Sequence, residues 1–233
     1  MKIVDIYSHR NGRDILLSPD FVLAFNEFQN VLRGLPTFRA AKAKKTSPNH
    51  IVAPGAMNKW LDQELCVVRD WDWHPLIIDS DPANPSATSR LRSDFRKSRI
   101  EVEVQFGNVA RYTYDVYKMA ISLSLDKADV GLMVVCTKRF AEITGGNIAY
   151  FERAVRELHQ SRLTLIVPLA VIAIEPDRWD ASSFLPEASA PAVTAATINK
   201  ARKERGQAEI PSDAADEPEP SLAVIRRLAE RVA

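Results

Sequence analysis

The sequence predicts an α/β fold in which a mixed central β-sheet is flanked by helices. Apolar and polar residues alternate strictly over Ile100–Phe106, which is the period of a half-buried strand. Two later apolar runs, Asp129–Thr137 and Leu163–Ile174, read as buried strands. Apolar residues recur at helical spacing in Tyr112–Leu123 and Ala149–Leu158. The order helix, three antiparallel strands, helix, strand, helix, strand therefore indicates an α/β sandwich.

The first helix is predicted to begin at Ser18, where a capping hydroxyl precedes a proline and an acid in the first turn. Four apolar residues then follow at helical spacing: Phe21, Phe25, Phe28 and Leu32. Gly34 and Pro36 end this helix, and the lysine-rich segment Ala41–Pro54 is predicted to be a loop. We expect residues 1–55 to form an N-terminal helical part of the domain.

A second amphipathic helix is predicted over Ala56–Cys66. The next element, Trp71–Asp79, has the composition of a strand, and Pro75 inside it indicates a sheet edge or a bulge. Prolines then break the segment Asp79–Thr88 into turns. Arg92–Asn108 supplies the other two antiparallel strands as a hairpin.

One domain with an extension is the organisation that length and composition favour. A chain of 233 residues with 46% hydrophobic content can bury one sizeable core, which we assign to residues 1–174. Proline, alanine, serine and acidic residues dominate from Glu175 to Pro220, so residues 175–233 are expected to be a loose extension. Ser221–Ala233 can form a short terminal helix. Cys66 and Cys136 lie in apolar surroundings without metal-ligand spacing, which favours two reduced core thiols.

Charge is distributed unevenly along the chain. The extension carries eight Lys and Arg against eleven Asp and Glu, which leaves a net charge of +4 on the body. A modestly basic body is compatible with DNA binding without establishing it. No apolar run reaches the length of a membrane span, and the N-terminus lacks the apolar centre of a signal peptide. We expect a cytoplasmic protein that does not interact with membranes.

Two basic clusters are candidates for phosphate contact. For the first cluster, solubility and phosphate contact are equally good explanations; it consists of Arg39, Lys42, Lys44 and Lys45. The second cluster surrounds Asp94, and there phosphate contact is the better explanation; it consists of Arg90, Arg92, Arg96, Lys97 and Arg99.

The polar face of the alternating strand is the candidate functional site. Glu101, Glu103 and Gln105 project from one side, which is a suitable ligand set for a hard divalent cation, although a solvated strand face remains an alternative. Asp94 precedes Glu103 by nine positions, and a hairpin between them can bring the two side chains together. Same-face residues are about 6.5–7 Å apart along a strand, so we expect only one of the two glutamates to be a direct ligand.

The arrangement of Asp94, a spacer, and Glu103-x-Gln105 resembles the core of PD-(D/E)XK nucleases. Gln105 replaces the usual Lys of that motif, and with the following Phe106-Gly107-Asn108 it resembles the BglII/BstYI-type restriction endonucleases. Two later stretches look like that family's strand, loop, helix and final strand in the same order. They are DVGLMVVCTKRFAEITGGNIAYFERAV from Asp129 and LIVPLAVIAI from Leu165. The resemblance covers about Ala56 to Ile174.

The resemblance implies a type II restriction endonuclease that cuts double-stranded DNA at a short palindrome centred on GATC. It further implies a Mg²⁺-dependent homodimer that is paired with a DNA methyltransferase. It implies that Asp94 and Glu103 bind the ion with the backbone carbonyl of Val104, and that Gln105 orients the attacking water. Because a glutamine side chain is no base, deprotonation of that water must rest on the metal or on a substrate phosphate. The Glu-x-Gln spacing selects Glu103 over Glu101.

Further residues are assigned to DNA contact or to the metal by the same resemblance. Asn108 and the loop Thr144–Asn147 match DNA-facing segments, although Gly-Asn is also a turn dipeptide. Glu64 is a candidate accessory metal ligand, with a surface salt bridge as the more ordinary role. The residues expected to contact DNA are Asn108, Lys118, Asn147, Arg96, Lys97 and Arg99.

Two other functions remain open on the residues alone. One is another PD-(D/E)XK DNA nuclease, acting in repair or on modified DNA. The other is a DNA-binding protein that does not cleave and whose carboxylates are structural. A zinc, nucleotide or serine-hydrolase site finds no support, because the sequence lacks a CxxC pair, a phosphate-binding Gly/Lys loop and a G-x-S-x-G elbow.

Overall fold

The computed structural model describes residues 1–41, 50–78, 91–145, 147–161 and 166–210. The chain divides into two compact units, Met1–Val193 and a second that begins at Thr194. Several predicted features lie outside the described residues: Lys42, Lys44, Lys45, Arg90, the turns of Asp79–Thr88, and the terminal helix Ser221–Ala233.

Eight strands and seven α-helices make up the described part of the chain. The strands are β1 (Lys2–His9), β2 (Phe38–Arg39), β3 (Asp72–Trp73), β4 (Phe95–Lys97), β5 (Ile100–Gln105), β6 (Val130–Cys136), β7 (Leu169–Glu175) and β8 (Leu185–Pro186). The helices are α1 (Gly12–Leu16), α2 (Val22–Gly34), α3 (Pro54–Asp62), α4 (Arg111–Ser124), α5 (Lys138–Thr144), α6 (Phe151–Gln160) and α7 (Ala195–Glu204).

The central sheet is mixed, as the sequence predicted. Its strand order is β1-β7-β6-β5-β4-β3. Strands β5, β6 and β7 are parallel, whereas β3, β4 and β5 form the expected antiparallel meander. A separate two-stranded sheet joins β2 to β8. None of the described helices has the length and apolarity that crossing a bilayer requires.

The N-terminal segment differs from the prediction, because β1 is an edge strand paired antiparallel to β7 rather than part of a helical region. Most of its side chains are exposed or half-buried, and the pairing is irregular between Ile3 and Asp5. An edge strand with water on much of its surface carries little hydrophobic alternation, so its sequence gave a weak signal. The first long helix, α2, also begins later than predicted, at Val22.

Two further boundaries differ from the prediction. Within the segment Trp71–Asp79 only Asp72–Trp73 is a strand, because His74 adopts a left-handed backbone conformation with φ 45° and Pro75 follows it. The first compact unit also continues beyond residue 174 to Val193. Phe184 is buried there, and β8 pairs with β2. In the second unit, Thr194 and Thr197 form a capping box at the start of α7.

One face of the sheet is covered by α4 and α6. Their buried residues form a single cluster with β6 and β7 residues such as Met133 and Val171. Gly131 on β6 allows α4 to approach closely, since a Cβ atom there would lie 2.6 Å from the Met119 sulfur. Helix α4 is thereby held directly over β5 and β6.

A close approach of α1 to β7 gives the first testable prediction. A Cβ atom on Gly12 would lie 2.3 Å from the backbone carbonyl carbon of Leu169, and backbone in a central strand cannot move aside. We expect Gly12→Ala to lower the free energy of unfolding by about 1–3 kcal/mol, measured by urea denaturation. Gly55→Ala is the control, because nothing lies within 4 Å of the added methyl group. Equal stability of the two variants would contradict this packing.

Candidate active site

The site is organised by the tight hairpin between β4 and β5. Ser98 and Arg99 form its two-residue turn with φ 49° and 62°, the left-handed pair that matches the twist of a hairpin. Arg99 is fastened to both Asp126 and Asp129, at 2.5 Å and 2.6 Å. The register pairs Lys97 with Ile100, and its continuation brings Asp94 opposite Glu103.

Asp94 lies just before β4 and takes over a backbone hydrogen bond of the neighbouring strand. The Val104 N–H donates to Asp94 Oδ2 at 2.7 Å. Because β4 begins one residue later, this buried N–H finds a side-chain acceptor in place of a main-chain carbonyl. The bond fixes one carboxylate oxygen of Asp94 against β5, next to Glu103.

The polar face of β5 meets a polar face of α4. Polar side chains at every second position of β5 meet α4 residues that are three and four positions apart. Each of these strand side chains therefore has one partner on the helix. The pairs are Glu101 with Ser122 at 3.1 Å, Glu103 with Lys118 at 2.7 Å, and Gln105 with Asp115 at 2.6 Å. We call these six residues the polar layer. None is more than 7% exposed, so β5 is buried on both faces and not half-buried as predicted.

Lys118 lies in the middle of the polar layer. Its Nζ is 2.7 Å from Glu103 Oε1 and 3.1 Å from Asp115 Oδ1, and it donates to the backbone carbonyl of Arg92 at 3.1 Å. The sequence had assigned this lysine to DNA contact. The structure instead buries the side chain among carboxylates, because position 118 falls on the face of α4 that covers β5.

Three acids surround this ammonium, and we call Asp94, Glu103 and Asp115 the carboxylate cluster. Burial raises the pKa of all three, most strongly that of Glu103, while the charge of Lys118 opposes the increase. Burial alone would lower the pKa of Lys118, but the three carboxylates outweigh it and raise that pKa. When ionised, the cluster carries three negative charges, which Lys118 and, at Asp94, Arg111 offset in part.

The donors of the cluster suit a hard divalent cation, because they are carboxylate oxygens beside a backbone carbonyl. Their present arrangement is closed on the ammonium, which contacts Glu103 and Asp115. Within the described ranges, no group of three or more His, Cys, Asp or Glu residues is disposed to hold a metal ion. The residues therefore fit such an ion chemically, and binding it requires a rearrangement around Lys118.

Gln105 is held at both ends of its amide. Its Nε2 donates to Asp115 Oδ2 at 2.6 Å, and its Oε1 accepts from the Gly107 N–H at 2.9 Å. Since an amide has no acid or base function in the accessible pH range, these bonds determine only its orientation. Asp115 is thus a site residue that the sequence analysis missed. The polar spacing of Asp115, Lys118 and Ser122 within a predicted helix was the available signal.

A second missed residue, Asp62, stands at the end of α3. Trp73 Nε1 donates to its Oδ1 at 3.1 Å. Burial and the charge of Asp94 raise the pKa of Asp62 to about 7. Glu64, the helical acid named from the sequence, is ion-paired with Arg69, which is the salt-bridge role expected as the more ordinary one. A π-helical turn, Gln63–Val68, follows α3 and changes which side chains face the sheet, which regular helical spacing could not predict.

The basic residues near the hairpin all have partners inside the protein. Arg96 donates to Glu101 at 2.6 Å, and Lys97 donates to Glu27 at 2.7 Å. Arg99 holds the turn as described above. Contact of these three residues with DNA stays a prediction. Glu101 pairs with Arg96 and Ser122, and its charge also contributes to the raised pKa of Asp94.

The two asparagines predicted to face DNA lie together beyond the end of β5. Asn147 Nδ2 donates to Asn108 Oδ1 at 3.1 Å, and the Val109 N–H donates to the carbonyl of Asn147 at 2.8 Å. Asn108 Oδ1 also accepts from the Ala110 N–H at 2.9 Å, as a turn residue does. Both side chains are exposed, so the structure joins two distant predicted residues on one surface.

Comparison with known proteins agrees with this architecture. The family model described as "Restriction endonuclease BglII/BglIII" matches residues 4–174, which includes most of β1. The crystal structure of restriction endonuclease BglII complexed with a DNA 16-mer shows 20% identity and a TM-score of 0.58, over 77% of this chain and 79% of that one. The crystal structure of free BglII shows 22% identity and a TM-score of 0.55, over 77% of this chain and 82% of that one.

These two structural matches share the fold of this chain, and a search of curated proteins finds no match. The family match covers well over half of the sequence and agrees with the resemblance carried by the Glu103-x-Gln105 motif. The chain therefore belongs to the BglII/BglIII restriction endonuclease family and is a type II site-specific deoxyribonuclease.

Proposed function

We propose that the enzyme hydrolyses phosphodiester bonds of double-stranded DNA with Mg²⁺ held by Asp94, Glu103 and the backbone carbonyl of Val104. The observation that carries this proposal is the bond from the Val104 N–H to Asp94, which places an acid from each strand of the hairpin beside the same peptide group. When bound, the ion supplies an acidified water molecule and offsets charge on the scissile phosphate.

The concentration of three carboxylates in the cluster favours the binding of a divalent cation. Burial raises the pKa values of Asp94 and Glu103, and a cation that binds to them stabilises their ionised forms.

Gln105 in this proposal orients the attacking water and removes no proton from it. Asp115 and the Gly107 N–H hold its amide in one orientation, so its donor and acceptor ends are fixed relative to Glu103. A pre-oriented amide lowers the entropy cost of placing the nucleophile. The proton of that water must pass to a group other than the glutamine, and a phosphate oxygen of the substrate is the group we assign.

The exposed amides of Asn108 and Asn147 are our candidates for base recognition, since an asparagine amide can pair bidentately with adenine in the major groove. Arg96, Lys97 and Arg99 are candidates for phosphate contact. The ion pairs of Lys97 and Arg99 are solvent-accessible and therefore weak in water, so DNA phosphates can replace the carboxylates that hold these two side chains now, whereas the pair of Arg96 with Glu101 is buried. Arg99 has the most exposed of these pairs, with Asp126.

We propose a GATC-centred palindrome as the target and a homodimer as the active form. One active site cuts one strand, and a palindrome presents two equivalent strands to a two-fold symmetric pair of subunits. An enzyme of this kind requires a cognate DNA methyltransferase that protects the host's own sites. The pair would form a restriction-modification system acting in the cytoplasm.

Substitution of the acids tests the assignment of the metal ligands. We expect Asp94→Asn and Glu103→Gln each to reduce cleavage at saturating Mg²⁺ by at least about 1,000-fold, the rate equivalent of about 4 kcal/mol. Glu101→Gln, the matched control on the same strand face, should stay within about tenfold of the wild type, because Glu101 pairs with Arg96 and Ser122. An inactive Glu101 variant together with an active Glu103 variant would show that Glu101, two residues earlier on β5, is the metal ligand.

The DNA target can be tested with unmethylated plasmid. Incubation with Mg²⁺ should produce discrete fragments, and sequencing of their ends should place GATC at every cut. Methylation of the plasmid at GATC is the control and should suppress cleavage if the protecting methyl group lies in that core. Discrete fragments without GATC would refute only the target, whereas a smear or intact plasmid would refute site-specific restriction.

The oligomeric state is tested by multi-angle light scattering. We expect a mass of about twice the 26.1 kDa of one chain, because two active sites must address the two strands together. The measurement should be repeated with a duplex that contains the mapped cut site, in Ca²⁺ in place of Mg²⁺. A single-chain mass under both conditions would refute the homodimer.

A further inference from the structure

The motif position that usually carries a lysine is occupied by Gln105, yet an ammonium group stands in the site. It comes from α4, because the polar layer brings Lys118 to the carboxylate cluster. Its side chain is almost completely buried, and its ammonium contacts two carboxylates and the backbone carbonyl of Arg92 and lies 5.8 Å from the centre of the Tyr114 ring. A lysine so enclosed is poorly placed to contact DNA and well placed to act on Glu103.

We propose that Lys118 is the resident counter-cation of the metal site, which holds Glu103 while the site lacks an ion and weakens the binding of divalent cations to the free enzyme. This inference rests on the proposed function only in taking Glu103 as a metal ligand. Lys118 is accordingly a positioning residue, since it acts through Glu103 and not on the reacting atoms.

The contact distances show why the ammonium and a divalent ion compete. Nζ lies 2.7 Å from Glu103 Oε1, whereas Mg²⁺ holds its oxygen ligands at about 2.0–2.1 Å. A shared oxygen would bring the two cations close together in a buried site, where solvent and salt screen their repulsion poorly. Divalent ion binding therefore requires Lys118 to withdraw or leaves it in an unfavourable position.

The second partner of Asp115 restricts the competition between the ammonium and a divalent ion to Glu103. If Lys118 withdraws, Asp115 keeps a hydrogen bond from Gln105 at 2.6 Å, so Gln105 stays oriented. Among the described residues, Lys118 is the only charged side chain that forms an ion pair with Glu103. It is therefore the acid that the ammonium releases to the ion, and the amide beside it does not need to move.

A purely structural role for Lys118 makes a different prediction. A structural ion pair would stabilise the fold, and its removal would destabilise the protein without making the site bind metal more tightly. Counter-cation competition instead predicts tighter metal binding once the positive charge is gone. Metal affinity of the DNA-free protein, measured apart from cleavage, separates the two roles.

The test is Mn²⁺ binding to the full chain without DNA, followed by electron paramagnetic resonance of the free ion. We expect Lys118→Met to bind Mn²⁺ at least about tenfold more tightly than the wild type, because one competing positive charge is removed. Lys118→Arg keeps the charge and should restore weak binding. Lys2→Met is the control for charge loss at the surface, where Lys2 pairs with Glu175 at 3.7 Å, and it should leave affinity unchanged.

The double variant Glu103→Gln/Lys118→Met tests whether the ion binds at Glu103. It should lose the gain in Mn²⁺ affinity that Lys118→Met shows, because the ligand is removed. Equal or weaker Mn²⁺ binding by a folded Lys118→Met variant overturns the inference. The cleavage assays of Glu103→Gln are independent of this outcome, so the proposed function is judged separately.

A measurement on the wild type covers the case in which Lys118→Met does not fold. A buried ammonium exchanges its protons slowly and gives its own ¹H–¹⁵N signal, which is assigned by its loss in Lys118→Arg. Mg²⁺ should shift or remove this signal as the ion takes Glu103. An unchanged signal at a Mg²⁺ concentration that saturates the thermal shift of the protein would refute the inference.

Discussion

The pairing of the polar face of β5 with α4 is the contact on which the site depends. Burying an ionised carboxylate costs on the order of several kcal/mol unless charge and hydrogen bonds compensate it. Each polar residue of β5 has one partner on α4, and Lys118 is the only one of those partners that carries a positive charge. Removing the helix would expose or orphan Glu101, Glu103 and Gln105 together, so the order of the site follows from the position of one helix.

The position of that helix is itself a packing result. Its apolar side meets Met133 and Val135 of β6 through Tyr112, Val116 and Met119, while its polar side covers β5. Gly131 permits the close approach, since a side chain there would meet Met119. Core packing on β6 therefore determines the distance between Lys118 and Glu103, and the hairpin turn at Arg99 determines where Asp94 arrives. The contacts that stabilise the fold therefore also position the side chains of the site.

Sequence alone grouped Glu101, Glu103 and Gln105 because strict alternation over one strand defines a face without any knowledge of the fold. The same pattern could not say what covers that face, and a half-buried strand was the natural interpretation. Edge strand β1 was missed because its exposed side chains carry little hydrophobic period. Asp62 at the end of α3 was missed because helical spacing reveals neither its hydrogen bond from Trp73 nor the charge of Asp94 beside it. Each failure lies where tertiary contact overrides a local pattern.

The relation between Gln105 and Lys118 shows what a short motif can and cannot encode. A motif records which side chain follows the metal-binding glutamate along the strand, but the electric field at that glutamate depends on every charge within a few ångströms. The strand of this enzyme offers an uncharged amide at that place, while Lys118, thirteen residues further on in α4, brings an ammonium to Glu103. A positive charge that the motif position lacks is thus supplied to the same glutamate from the helix that covers the strand.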